Sequence, residues 1–168
     1  MIVPLTVSKT EQKEIKLEIG LPQAGFPKSM FFNRFRIERE DGFCLVQFGL
    51  ITGSGLLDNY SCVFTKETLQ QNQETLLDYL NRIGRPTENE PAPWKGAVME
   101  RQTEVADIFT MAFRGGMAEI CLYLFSLSAA TRVHKGPTGS EAVPAQPLAL
   151  LRCAAEMQKQ LIVALYEE

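Results

Sequence analysis

The sequence is short of the residues that do chemistry at fixed spacings. Its 168 residues include one histidine, His134, and four cysteines, Cys44, Cys62, Cys121 and Cys153, far apart and with no C-x-x-C pair. A metal site needs ligands in tighter groups, so neither a metal nor a cofactor is expected, and cysteines set inside apolar runs read as small buried hydrophobes. Nucleophilic catalysis needs a base beside the nucleophile. His134, near Thr138 and Ser140 in a Gly/Pro-rich stretch, is specific to nothing. The string Gly136-Pro-Thr-Gly-Ser140 lacks the Gly-Lys-Ser/Thr ending of a phosphate loop and follows no evident strand. No catalytic residue is assigned, and a non-enzymatic protein is expected.

An excess of cations is also missing. Lysine and arginine number 17 against 20 aspartates and glutamates, for a net charge of −3 and a pI near 5.3. A general nucleic-acid binder needs clustered cations to neutralise phosphates. Long hydrophobic runs are absent too: Met117 to Ala130 is apolar nearly all round, but Glu119 lies inside it and Arg114 just before. A membrane span takes about 18 or more apolar residues. With Met1 to Leu5 too short for a secretory signal, a cytoplasmic location is expected.

What the sequence does have is a strongly patterned stretch from Met30 to Ile83. Met30 to Arg39 alternates, with Phe31, Phe35 and Ile37 on one face and Arg34, Arg36 and Glu38 on the other, which predicts a strand. Glu40-Asp41-Gly42 is a turn. Phe43 to Ile51 is apolar on both faces, as in a central strand covered on both sides. After the flexible Thr52-Gly-Ser-Gly55 turn, Leu57 to Phe64 puts Tyr60, Cys62 and Phe64 on one side and Asn59 and Ser61 on the other. Thr65 then suits a helix N-cap and Glu67 the positive end of the helix dipole. Leu69, Leu76, Leu80 and Ile83 form the apolar stripe, and Gly84 and Pro86 stop the helix.

The order Ile15-Lys-Leu-Glu-Ile19, Phe31-Phe-Asn33, Val46-Gln-Phe48 and Val63-Phe-Thr65 resembles a small bacterial family of uncharacterised domains. The likeness covers residues 13–84 and departs at Gln47, where an acidic residue is expected. It implies antiparallel strands followed by one amphipathic helix, carries no catalytic signature, and leans towards a binding module.

Around this unit, Lys13 to Ile19 alternates cleanly and reads as a fourth, edge strand guarded by its charges. Gly84 to Gly96 holds three prolines and reads as a linker, with Trp94 an anchor packed back on the domain. Val98 to Ala112 fits helical spacing, Gly115-Gly116 reads as a bend, and Met117 to Ala130 as a buried helix. Arg132 to Gln146 reads as a loop. Pro147 suits the first turn of a last helix with Leu150, Ala154, Met157, Leu161 and Ala164 on its apolar side.

The expected fold is α+β: a three- or four-stranded antiparallel meander with one helix over residues 1–84, a Pro-rich linker over 85–97, and a helical hairpin over 98–168 packed on the first part or on a partner. The expected role is an interaction or assembly subunit of a bacterial complex, joining a second copy or a partner protein through Phe43, Leu45, Ile51, Leu122, Phe125 and Leu161. The alternative is a small enzyme or ligand-binding protein with a pocket between sheet and hairpin that uses Glu119 and Arg114. A third reading takes Arg34, Arg36 and Arg39, with Phe32 among them, as an anion or nucleic-acid patch, although Glu38, Glu40 and Asp41 dilute its field.

Overall fold

The computed structural model describes residues 2–8, 14–92, 94, 103–125 and 142–167, and the fold is α+β. The central meander forms as its alternation requires: β4 (Arg34–Glu40), β5 (Phe43–Thr52) and β6 (Gly55–Thr65) pair antiparallel in that order. Helix α1 (Lys66–Ile83) follows at once. The Thr65 side chain accepts from the Thr68 N–H at 3.2 Å, and Gly84, at φ 94°, closes the far end by donating its N–H to the Leu80 carbonyl.

The run from Met30 to Arg39 is not one strand. β3 (Lys28–Phe31) ends before Phe32 and Asn33, where the chain crosses from one sheet to another: the Phe32 N–H donates to the Arg152 carbonyl and the Asn33 N–H to the Gly49 carbonyl. The crossing breaks the alternation, so Phe32 rather than Phe31 joins Phe35 in the core.

The second half is a correction. The described residues between 98 and 130 hold no helix; they form β7 (Glu104–Ala106), β8 (Ile108–Arg114) and β9 (Met117–Leu124). Gly115 and Gly116, at φ 59° and 82°, make the two-residue hairpin turn between β8 and β9, because glycine takes successive positive φ values without steric cost. Pro147 lies in a strand as well. β10 (Ala142–Pro144) and β11 (Gln146–Cys153) precede a shorter last helix, α2 (Ala155–Tyr166). Among the described residues of 98–168 there is no helical hairpin.

Eight strands make two mixed four-stranded sheets, in the orders β4-β5-β6-β7 and β3-β11-β9-β8. The alternating stretch at Lys13 to Ile19 is a strand, β2 (Glu14–Gly20), but it joins neither sheet and is not an edge. It lies between β1 (Ile2–Ser8) and β10 in a separate three-stranded sheet.

The two four-stranded sheets repeat one plan. Each has an antiparallel meander, β4-β5-β6 or β8-β9-β11, followed directly by a helix, and each is completed by the short strand preceding the other meander: β3 runs parallel to β11, and β7 parallel to β6. The registers agree residue by residue. Arg34 opposes Gly49 as Ile108 opposes Tyr123, Glu40 opposes Phe43 as Arg114 opposes Met117, and Val63 opposes Val105 as Arg152 opposes Phe31. The inward positions correspond too: Cys44, Val46 and Phe48 to Ala118, Ile120 and Leu122. All are buried in one core shared with Leu76 and Leu80 of α1 and Met157, Leu161 and Leu165 of α2. The fold is thus two copies of a strand–meander–helix unit that exchange their first strands.

Outside this core, the outer faces are covered differently. On the second sheet Leu21, Cys121, Tyr123 and Ala145 form a smaller cluster, with the Phe26 ring tilted against that of Tyr123. On the first sheet the position matching Tyr123 is Gly49, and Trp94 lies over it, with Arg36 stacked on the indole at 4.1 Å and donating to the Trp94 carbonyl. The segment before Trp94 also lies on the body, since Glu156 accepts from the Thr87 and Glu88 N–H groups and Gln160 donates to the Glu88 carbonyl.

Candidate functional site

A cleft of about 370 Å³ opens at one end of the first sheet. Three elements build it. The β4–β5 turn contributes Glu40, Asp41 and Phe43; the first two turns of α1 contribute Leu69 and Gln73; the last turn of α2 contributes Leu165 and Tyr166. Phe43 is 41% exposed here, although it stands at the start of a central strand. The Tyr166 hydroxyl donates to the Leu69 carbonyl at 3.0 Å and joins the two helices; burial pushes its pKa up to about 12. Arg39 closes the α2 side by donating to the Leu165 carbonyl at 3.1 Å and also to that of Ala164, the favourable place for a cation at a helix C-terminus.

Of the six residues expected to carry an interaction, Phe43 alone lines this cleft. Leu45 and Ile51 are half-buried on β5, and Phe125 is half-buried against the smaller cluster. Leu122 and Leu161 lie in the shared core, where the inward face of β9 and the inner side of α2 place them.

The arginines do not stand together as a free patch. Arg36 is held by Trp94 and Arg39 by the end of α2, while Arg34 donates to the Asn33 carbonyl at 2.7 Å. Glu119 and Arg114 do not line the cleft either. Glu119 sits on the outer face of β9 between Arg114 and Arg152, each at 3.4 Å.

All four cysteines are buried and none is in a disulfide. Burial pushes the thiols of Cys62, Cys121 and Cys153 up, the last to about 12, which makes them poor nucleophiles. Among the described residues no group of histidine, cysteine, aspartate and glutamate is arranged to hold a metal ion, and no helix is long and apolar enough to cross a membrane. His134 and the Gly136 to Ser140 string lie outside the described residues.

The cleft went unread in the sequence because its walls are far apart in the chain. Its only local signal is Phe43 itself, a large aromatic next to the Asp41-Gly42 turn. No protein-family model matches the chain, and no curated protein matches it significantly.

Proposed function

We propose that this chain is a non-enzymatic assembly subunit that binds another protein through the cleft at Phe43. The observation that carries the reading is an aromatic side chain left 41% exposed over an apolar floor of Leu69, Leu165 and Tyr166, with charged groups at the rim. An aromatic anchor within a polar rim is the usual composition of a protein-binding hot spot. Four buried thiols without a disulfide fit a reducing, cytoplasmic setting.

A second reading, a small-molecule site, draws on the cleft volume, which falls in the range of about 300–1,000 Å³ that such sites occupy. Native mass spectrometry of the purified chain separates the two, because a retained small ligand adds a fixed mass below that of any protein.

The test compares wild type with Phe43→Asp in affinity purification from the native host, followed by light scattering. We expect a stoichiometric protein, either a partner or a second copy, with wild type and its loss in the variant. An unchanged set of bound proteins and an unchanged mass would overturn the proposal.

A further inference from the structure

Past Gly84 the described chain runs to Trp94 without helix or strand, and side chains of the body hold it. Arg85 makes a two-bond ion pair with Glu167, beyond the end of α2. Glu156, in the first turn of α2, accepts from the Glu88 and Thr87 N–H groups, which keeps its carboxyl below the ordinary value. Gln160 donates to the Glu88 and Asn89 carbonyls, both at 3.2 Å. Arg36 of β4 donates to the Trp94 carbonyl and stacks on its ring. Among the described residues, no backbone–backbone hydrogen bond joins 85–94 to the rest of the molecule.

Burial in this segment is uneven. Residues 85–92 are exposed or half-buried, while Trp94 is buried. Its ring lies against Gly49 on the outer face of the first sheet, whereas α2 packs on the inner face, where Leu161 and Leu165 share the core with Val46. Between Asn89 and Trp94 the chain therefore passes from one face to the other. β4 is an edge of that sheet and is tied to both ends of the passage, through Arg39 to the last turn of α2 and through Arg36 to Trp94, so the passage leads round β4. The fit is also imperfect: Trp94 Nε1 and Gln160 Oε1 are buried without a hydrogen-bond partner, a cost that opening to water removes.

We propose that residues 85–94 form a releasable strap, which covers the free edge of β4 while Trp94 is seated on Gly49 and opens as one unit while the rest of the fold stays intact. Few buried apolar contacts and bonds made at the surface mark a segment that opens well below the free energy of global unfolding. The unpaired backbone groups of an edge strand invite pairing with another chain, and a covering loop is one way to prevent it. The seating of a single aromatic ring thus sets whether β4 is covered or bare. The strap is independent of the reading of the Phe43 cleft, because none of the cleft's lining residues belongs to it.

The test combines hydrogen exchange of the intact protein, read by NMR, with the fluorescence of Trp94, the only tryptophan. In wild type we expect the Thr87 and Glu88 amides to exchange at least about tenfold faster than those of Val46 and Leu122. Low urea should shift the Trp94 emission to the red and open the ring to acrylamide before the far-UV dichroism changes. Glu156→Ala removes the acceptor that Thr87 and Glu88 share without touching the core. It should speed exchange at those two amides by a further factor of about ten and raise acrylamide quenching, with Val46 and Leu122 unmoved. A soluble gadolinium chelate should also broaden the β4 amides that face away from β5 more strongly in this variant than in wild type. A single urea transition shared by Trp94 and the far-UV signal, or quenching that Glu156→Ala leaves unchanged, overturns the strap as a separate unit. If the chelate reaches those β4 amides equally in both proteins, the strap does not cover the edge.

Discussion

Asn33 and Asp107 hold the same junction in the two halves of the molecule. Asn33 accepts from the Ile51 N–H and donates to the Ile51 carbonyl, both at 2.8 Å, while its own N–H donates to the Gly49 carbonyl. Asp107 accepts from the Phe125 N–H at 2.7 Å while its N–H donates to the Tyr123 carbonyl. Each side chain pins the far end of a central strand at the point where the chain passes from one sheet to the other. The asparagine makes one bond more, and the aspartate keeps a charge that the site does not need.

Asp107→Asn is therefore expected to stabilise the fold. Burial pushes the Asp107 carboxyl above its ordinary value, and the Phe125 N–H only partly offsets this. Between the ordinary and the raised value the folded state binds the proton more tightly than the unfolded state, so stability falls as pH rises through that window. An asparagine removes the charge, keeps the acceptor and adds a donor towards the Phe125 carbonyl. Urea unfolding at neutral pH should show a higher midpoint, by roughly 1 kcal/mol or less, and a flatter dependence on pH across the acid range. Asn33→Ala is expected to cost about 1–3 kcal/mol, since it strands backbone groups of Ile51.

Gly49 and Trp94 form a matched pair. A Cβ on residue 49 would lie 2.7 Å from Trp94 Cζ3, and the indole is also held beneath Arg36. Gly49→Ala is expected to destabilise by about 1–3 kcal/mol and, because Trp94 is the only tryptophan, to shift the emission to the red as the ring leaves its seat. In a Trp94→Ala background the same glycine change should cost markedly less, because the contact it spoils is already gone.

The β8–β9 turn depends on its glycines in an unequal way. Both have positive φ, yet the first has Asp41 as its counterpart in the β4–β5 turn, whereas the second has Gly42, also at positive φ. Gly115→Asn is expected to be nearly neutral, since asparagine tolerates the left-handed region. Gly116→Ala and Gly42→Ala are each expected to cost about 1–2 kcal/mol, read as a fall in the thermal midpoint.

Alkaline conditions should unfold the protein early. Burial raises the pKa of all four tyrosines, Tyr60, Tyr79, Tyr123 and Tyr166, and of the thiols of Cys62, Cys121 and Cys153. The unfolded chain releases these protons at ordinary values while the folded chain retains them, so stability is full below the ordinary thiol value, about 9, and is lost as pH rises beyond it. Tyrosinate absorbance should therefore rise cooperatively with loss of the far-UV dichroism. Independent, non-cooperative titration of four tyrosines would contradict their burial.

The first meander and α1 were legible because each signal was local: alternation at Phe35 and Ile37, turns at Gly42 and Gly53, a cap at Thr65 and a stop at Gly84. The second meander carries the same plan with weaker signals. Ala118, Ile120 and Leu122 face the main core while Cys121 and Tyr123 face the smaller cluster, so β9 is apolar on both sides and its pattern does not distinguish strand from buried helix. Gly115-Gly116 read as a bend within a helix, although two glycines between apolar runs are also a hairpin signal. Over the matched strands β4–β5 and β8–β9, Phe35 and Phe109, Gly42 and Gly116, and Leu50 and Leu124 are the identical pairs. The short Gly53-Ser54 turn corresponds to a much longer connection before β11, so the two copies fall out of step and the repeat is hidden. The cleft is a further remove away, because the β4–β5 turn, α1 and the end of α2 that line it are distant in the chain.

The contact between Tyr79 and Gln158 gives the sharpest test that the end of α1 is fitted to the second half. Gln158 is fully buried; its Oε1 accepts from the Tyr79 hydroxyl and its Nε2 donates to the Glu119 carbonyl at 3.1 Å. Tyr79→Phe removes the donor and leaves a buried amide oxygen unpaired, at an expected cost of about 1–3 kcal/mol. The first half places Leu69 where the second has Gln158, so a leucine fits this position of the plan. In the Tyr79→Phe background, Gln158→Leu should therefore recover part of the loss, although the Glu119 carbonyl gives up one donor. In the wild-type background the same leucine should be destabilising, because it strands the tyrosine hydroxyl instead. A four-way cycle of unfolding free energies checks this: a favourable coupling of about 1 kcal/mol or more between Tyr79 and Gln158 supports the matched pair, and additive costs would mean that the end of α1 rests on the second half without being fitted to it.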